Sequence, residues 1–114
     1  MEITLSNYRN APGVDAQAEV TLSTWRVFCD AHGDHVLFGF HSGGKTLRMT
    51  TPIKEFDAAA GVVTTGSGRR YILSGPPVVN PGILAAMEFY ALQYSVVLEA
   101  DVTGEFWSGP GGLH

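Results

Sequence analysis

The segment from Asn80 to Ser95 constrains the fold most, because it predicts a helix with almost no polar face. Asn80 suits the N-cap, and Pro81 suits the first helical position, where a missing N–H removes no hydrogen bond. Apolar side chains occupy every side of the helix, and only Glu88, Gln93 and Ser95 are plainly polar. A helix that is apolar all round is normally buried on more than one side. The rest of the chain must therefore supply surfaces that cover it.

Short strands are predicted on both sides of this helix. Apolar runs bounded by turn residues indicate strands over 3–8, 19–29, 35–40, 46–53, 62–65, 69–74 and 96–102. In the strand 19–29, Leu22 and Phe28 share one parity and Trp25 has the other, so both faces are partly apolar. Six or seven short, mostly antiparallel strands and one apolar helix at about 81–95 predict an α+β protein. A bent sheet or a small barrel would bury the helix.

Composition limits the class of protein. The 114 residues predict one β-rich domain over 1–107 and a Gly-rich flexible tail over 108–114. Hydrophobic residues make up 45% of the chain, which excludes a disordered polar chain, and the net charge of −4 disfavours a general nucleic-acid binder. The lone Cys29 excludes an intramolecular disulfide, and the apolar run 83–98 is too short to span a bilayer. We therefore expect a cytoplasmic protein that makes no membrane contact.

The string Gly39-Phe-His-Ser-Gly-Gly44-Lys45-Thr46 satisfies the phosphate-loop pattern. A phosphate loop also requires a helix that begins at the Lys-Thr pair, because the helix N-terminus holds the anion. The residues that follow include two adjacent threonines and Pro52, which favour a strand. We therefore interpret the string as a hairpin turn and expect no cofactor.

Cys29, His32 and His35 lie around a predicted turn at 30–34 and are weak candidates for metal ligands. Thiolates and imidazoles are good zinc ligands. A closed structural zinc site usually takes pairs of ligands from two separate segments, and the sequence has no second Cys/His cluster. One alternative is a three-ligand site with an open position, and the other is a polar turn in which Cys29 packs as a small hydrophobic residue.

Glu88 interrupts the most apolar segment of the chain. A carboxyl group in an apolar pocket has a raised pKa and can serve as an acid. Together with Tyr90 and Tyr94, Glu88 predicts a pocket in a small-ligand-binding or enzymatic β-domain. The alternative is that Glu88 marks a narrow hydrated side of the helix.

Arg69, Arg70 and Tyr71 form the most basic segment, beside a predicted turn at 66–68. A cationic hairpin with an aromatic side chain suits an acidic protein surface, or the phosphates and a base of a nucleic acid. A charged tip that keeps a sheet edge from aggregating is the third interpretation. The candidate partner-binding residues are Arg69, Arg70, Tyr71, Arg48, Lys45 and Trp107.

Apolar side chains are more numerous than one small core requires, and an exposed apolar patch marks a partner site, so a homodimer is a reasonable expectation. No set of reactive groups in the sequence is complete. The sequence therefore favours a non-catalytic protein-interaction module, an adaptor or inhibitor that binds a larger protein complex, either a bacterial accessory protein or a phage-borne one. The alternatives are a ligand-binding or enzymatic domain around Glu88 and a nucleic-acid binder that uses the hairpin at 69–71.

Overall fold

A computed structural model describes residues 4–7, 18–41 and 46–107. Along the chain its elements are β1 (Thr4–Asn7), β2 (Glu19–Asp30), β3 (His35–His41), β4 (Thr46–Met49), β5 (Ile53–Asp57), β6 (Val62–Thr65), β7 (Arg70–Ser74), α1 (Pro81–Gln93), β8 (Leu98–Asp101) and a 3-10 turn (Thr103–Glu105). The strands form one sheet in the order β1-β4-β3-β2-β7-β6-β5, with β8 beside β2. The predicted tail at 108–114 lies outside the described residues.

The longest strand, β2, organises the sheet. Its second half pairs antiparallel with β3 and with β8, whereas its first half pairs parallel with β7. The register shifts between Ser23 and Arg26, where Thr24 adopts a left-handed φ of 53°. A bulge of this kind bends and twists a strand. Among the described strands the sheet is bent and does not close, so the predicted α+β protein with a bent, mostly antiparallel sheet is confirmed and the barrel alternative is wrong.

Both faces of the β2–β3 pair are covered by other parts of the chain. On one face α1 packs over a cluster of buried residues: Phe28, Val36, Phe38, Phe40, Leu47, Met49, Met87, Tyr90 and Ala91. On the other face β6 and β7 complete a second cluster: Val20, Leu22, Trp25, Val27, Leu37, Val63 and Tyr71. Side chains of β5 and of residues after the 3-10 turn pack around this second cluster. The strand therefore needs apolar residues on both faces, as its sequence indicates.

The parity prediction within β2 is wrong across the bulge. Simple alternation groups Leu22 with Phe28, but Leu22 packs in the cluster of Trp25 and Val27, while Phe28 packs under α1. The extra residue at Thr24 changes which face each later side chain occupies.

Two boundaries also differ from the prediction. The predicted strand 46–53 is two strands, β4 and β5, which raises the count from six or seven to eight among the described residues. The strand breaks at Thr50, whose hydroxyl accepts the N–H of Leu37 (3.2 Å) and donates to the carbonyl of Thr51 (2.7 Å). The helix ends at Gln93, close to the predicted end, because Ser95 has a left-handed φ of 60°. In the described part of the chain, no helix has the length and apolar character that crossing a membrane requires.

Candidate functional site

The helix α1 starts at a cap that fixes where the chain enters it. The Asn80 side chain accepts hydrogen bonds from the N–H groups of Gly82 (2.9 Å) and Ile83 (3.1 Å), and Pro81 occupies the first turn. These bonds satisfy donors that have no partner inside the helix. The cap therefore fixes where the helix begins above the buried aromatic residues of β2 and β3.

The outer face of α1 is exposed and largely apolar. Successive residues are about 100° apart around a helix, so the buried Met87, Tyr90 and Ala91 define the inner side. The opposite side consists of five exposed residues: Ala85, Glu88, Phe89, Leu92 and Gln93. Phe89 is 61% exposed and Leu92 is 58% exposed, one helical turn apart. We name these five residues the outer face of α1.

A cleft of about 250 Å³ lies between α1 and β8. Its walls combine apolar side chains with carboxylates: Phe28, Leu84, Leu98, Ala100, Glu88, Glu99 and Asp101. Glu88 belongs both to the outer face of α1 and to this cleft, so the two form one continuous surface. We name it the α1–β8 surface.

The three carboxylates of the cleft differ in their environment. Arg26 donates two hydrogen bonds to Asp101, from Nε to Oδ2 at 2.6 Å and from an Nη to Oδ1 at 3.1 Å. Burial alone would raise the pKa of Asp101, but the bonds from Arg26 and Thr103 outweigh it and hold that pKa below its usual value. Glu88 and Glu99 are exposed, and neither forms an ion pair with any described residue. The cleft therefore presents two carboxylates to an incoming cation.

The predicted pocket around Glu88, Tyr90 and Tyr94 does not form as one unit. Tyr90 lies on the inner side of α1, packed against Phe38, with its ring 5.3 Å from that of Tyr94. Burial, followed by the neighbouring Tyr94, raises the pKa of Tyr90, so its hydroxyl stays neutral. Glu88 lies on the opposite side of the helix and is exposed. The structure instead brings Glu88 together with Glu99 and Asp101 of β8.

The basic hairpin residues point in different directions. Arg69 is 4% exposed and Tyr71 is 1% exposed, and Tyr71 belongs to the second core cluster. Arg70 is exposed and forms an ion pair with Glu19, with 2.7 Å between Nη1 and Oε2. The three side chains therefore do not lie together on one exposed surface.

The remaining candidates for partner contact also lie apart. Arg48 is buried on β4, and Trp107 packs edge to face on Trp25 with 6.1 Å between ring centroids. Lys45 lies outside the described residues. Because Arg48, Arg69 and Tyr71 are buried, the described members of the predicted partner-binding set share no accessible surface, and their role in partner binding stays a prediction.

The cysteine and histidine candidates lie around the β2–β3 turn. Cys29 and His35 are register partners on adjacent strands, His35 packs against Phe106, and His32 is exposed in the turn. The Asp30 carboxylate accepts hydrogen bonds from the N–H groups of His32 (2.9 Å) and Asp34 (3.0 Å), and it therefore stabilises the turn. Across the described ranges, no three His, Cys, Asp or Glu side chains are placed to share a metal ion.

The described residues of the phosphate-loop string, 39–41 and 46, lie at the facing ends of two antiparallel strands. Gly39 is inside β3, and Thr46 begins β4 opposite His41, whereas a phosphate loop requires a helix at that point. Burial and the nearby charge of Arg48 lower the pKa of His41. Lys45 and the three residues before it lie outside the described residues. The strand after Thr46 agrees with the hairpin interpretation.

Three features of the α1–β8 surface are not among the predicted site residues. Phe89 and Leu92 were visible in the sequence only as part of a helix without a polar face, which does not tell which side is covered. Glu99 is a strand-end acid in the sequence, and it joins the site only because β8 lies beside α1. The bidentate pair of Arg26 and Asp101, 75 residues apart, has no local sequence signal.

Comparison with known proteins finds no protein-family model, no curated protein and no solved structure that matches this chain.

Proposed function

We propose that this protein is a small, non-catalytic protein-interaction module, an adaptor or an inhibitor, which binds a larger protein through the outer face of α1. The observation that carries the proposal is the exposure of Phe89 and Leu92, at 61% and 58%, on a helix whose inner side is already buried. Large apolar side chains that are grouped on one surface mark interaction sites more often than scattered ones do. Aromatic side chains are also enriched among the residues that dominate binding energy.

The architecture supports a rigid binding surface. The cap at Asn80 and the buried inner side of α1 hold the helix on the sheet, so that its outer face is ordered before any partner arrives. Preorganisation lowers the entropy lost on association. A cytoplasmic setting belongs to the same proposal, since the single Cys29 cannot form an intramolecular disulfide.

A comparison of two variants tests this function. Phe89→Gln/Leu92→Gln removes the apolar groups from the outer face of α1, and Val79→Gln changes a valine of similar exposure that lies outside the helix. We expect a species that co-purifies with the wild type and with Val79→Gln from native lysate, in a fixed ratio, and that is lost with the double variant. Circular dichroism would verify that all three proteins are folded.

The proposal would be wrong if the double variant retained every species bound by the wild type. It would also be wrong if the wild type remained a monomer with no bound species in its native host, as measured by sedimentation and by intact-complex mass. In either case the exposed apolar residues of α1 would have no binding role.

A further inference from the structure

The charges of the chain are separated along the sequence. All seven Lys and Arg residues lie at or before position 70, and residues 71–107 contain four acids and no base: Glu88, Glu99, Asp101 and Glu105. The helix α1 and the strand β8 both belong to this base-free part. The α1–β8 surface therefore combines apolar and acidic groups, and neither of its two elements contributes a cation.

The cleft suits a long cationic side chain in particular. Lys and Arg carry an aliphatic stem and a charged end, and they prefer sites that offer apolar walls to the stem and acceptors to the charge. Leu84, Leu98 and Phe28 supply such walls, and Glu88 and Glu99 supply the carboxylates. Asp101 is already bound by Arg26, so it contributes less to an incoming charge.

On this basis, and resting on the function proposed above, we propose that the partner presents a basic amphipathic segment to the α1–β8 surface. The apolar side chains of that segment cover Phe89 and Leu92, and one of its Lys or Arg side chains enters the cleft beside Glu88 and Glu99. Charge complementarity selects this occupant. A second copy of the chain, related by a two-fold axis, would set the same acidic and apolar surface against itself with no cation from either helix.

Peptide probes test the chemistry of the partner directly. An amphipathic helical peptide of Leu and Lys and its Leu/Glu counterpart would be titrated into the full chain, with fluorescence anisotropy as the readout. We expect the Leu/Lys peptide to bind at least about tenfold more tightly than the Leu/Glu peptide. Its affinity should fall several-fold between about 50 mM and about 500 mM salt, because the exposed carboxylates become screened.

Matched variants test whether peptide binding depends on the carboxylates of the cleft or on the overall negative charge of the protein. Glu88→Gln/Glu99→Gln should weaken Leu/Lys binding by about tenfold. Glu55→Gln/Glu105→Gln removes the same charge from two exposed acids that do not line the cleft, and it should retain wild-type affinity. Phe89→Gln/Leu92→Gln should weaken binding as well, because the apolar half of the surface is removed.

The outcomes distinguish the two proposals. If both charge variants bind the Leu/Lys peptide equally well, or if neither peptide binds, the basic partner is wrong. If Phe89→Gln/Leu92→Gln alone reduces binding, the basic partner is wrong but the apolar interaction surface stands. If sedimentation shows a wild-type dimer that Phe89→Gln/Leu92→Gln dissociates, a second copy is the occupant and the basic partner is overturned.

Discussion

The guanidinium of Arg26 joins three segments that are distant in sequence. It holds the carboxylate of Asp101 in two hydrogen bonds and donates a third to the carbonyl of Val78 at 2.6 Å. Arg26 is fully buried, on the same strand that carries the bulge. Removal of one partner from a buried ion pair leaves an uncompensated charge in the interior. This one side chain therefore links β2 both to β8, which borders the cleft, and to the chain entering α1.

We expect Asp101→Asn to lower the free energy of unfolding by about 3–5 kcal/mol, because the buried guanidinium of Arg26 loses the carboxylate that it binds in two hydrogen bonds. Urea denaturation at neutral pH measures this change. Glu19→Gln is the control, since it removes the exposed ion pair with Arg70, and such pairs contribute less than about 1 kcal/mol. Equal losses in the two variants would contradict a special role for the buried pair.

The lowered pKa of Asp101 also predicts how the free energy of unfolding depends on pH. The pKa of Asp101 lies below its usual value in the folded protein, whereas the pKa of an Asp in the unfolded chain is about 3.9. The stabilisation is therefore fully present above the unfolded pKa and is lost as the pH falls through the folded pKa. The free energy of unfolding of the wild type should fall more steeply below about pH 4 than that of Asp101→Asn. If urea denaturation shows the same loss of unfolding free energy with falling pH in both proteins, a group other than Asp101 controls the loss of stability in acid.

At the scale of elements, β2 and β3 pack so closely at one position of β3 that only glycine fits there. A Cβ atom placed on Gly39 of β3 would lie 2.8 Å from the Cβ of Leu22 on β2. The first glycine of the phosphate-loop string is therefore explained by strand packing. The helix α1 shows the opposite case, because Phe89 and Leu92 on its outer face are mostly exposed and are not held in a close-packed contact of this kind.

Gly39→Ala should destabilise the protein by about 1–3 kcal/mol, because the added methyl group forces β2 and Leu22 to move. Gly66→Ala is the matched control, since the nearest atom to its added Cβ is the Pro52 carbonyl oxygen at 3.8 Å. Chemical denaturation of the two variants measures the difference. A Gly39→Ala protein as stable as Gly66→Ala would mean that β2 and β3 adjust freely.

At the scale of the whole molecule, two core clusters lie on either side of β2 and β3. All Lys and Arg residues lie at or before residue 70. The second cluster is closed by the β5–β7 strands and by residues after β8, whereas the first is closed by α1 together with residues that flank it, Val78, Val96 and Leu98. One layer of helix cannot bury side chains on both of its own sides. Apolar residues on the outer face of α1 therefore remain in contact with solvent.

Variants of the outer face of α1 should lose binding without losing stability. Phe89→Gln/Leu92→Gln should change the free energy of unfolding by less than about 0.5 kcal/mol, because both side chains are mostly exposed. Met87→Ala, on the inner side of the same helix, should cost about 2–5 kcal/mol. Thermal and urea denaturation measure both changes. A large loss in the double variant would show that the outer face contributes to the fold.

The sequence by itself determined the fold class, the two-faced character of β2, and both ends of α1 to within two residues. These features follow from local periodicity, from the cap at Asn80 and from turn chemistry, which act over a few neighbouring residues. Only the tertiary structure decided that Thr24 shifts the faces of β2 and that Arg26 meets Asp101. It also decided that Glu88 faces β8 while Tyr90 and Tyr94 face the core. These relations depend on which distant segments pack together, and no pattern of neighbouring residues carries that information.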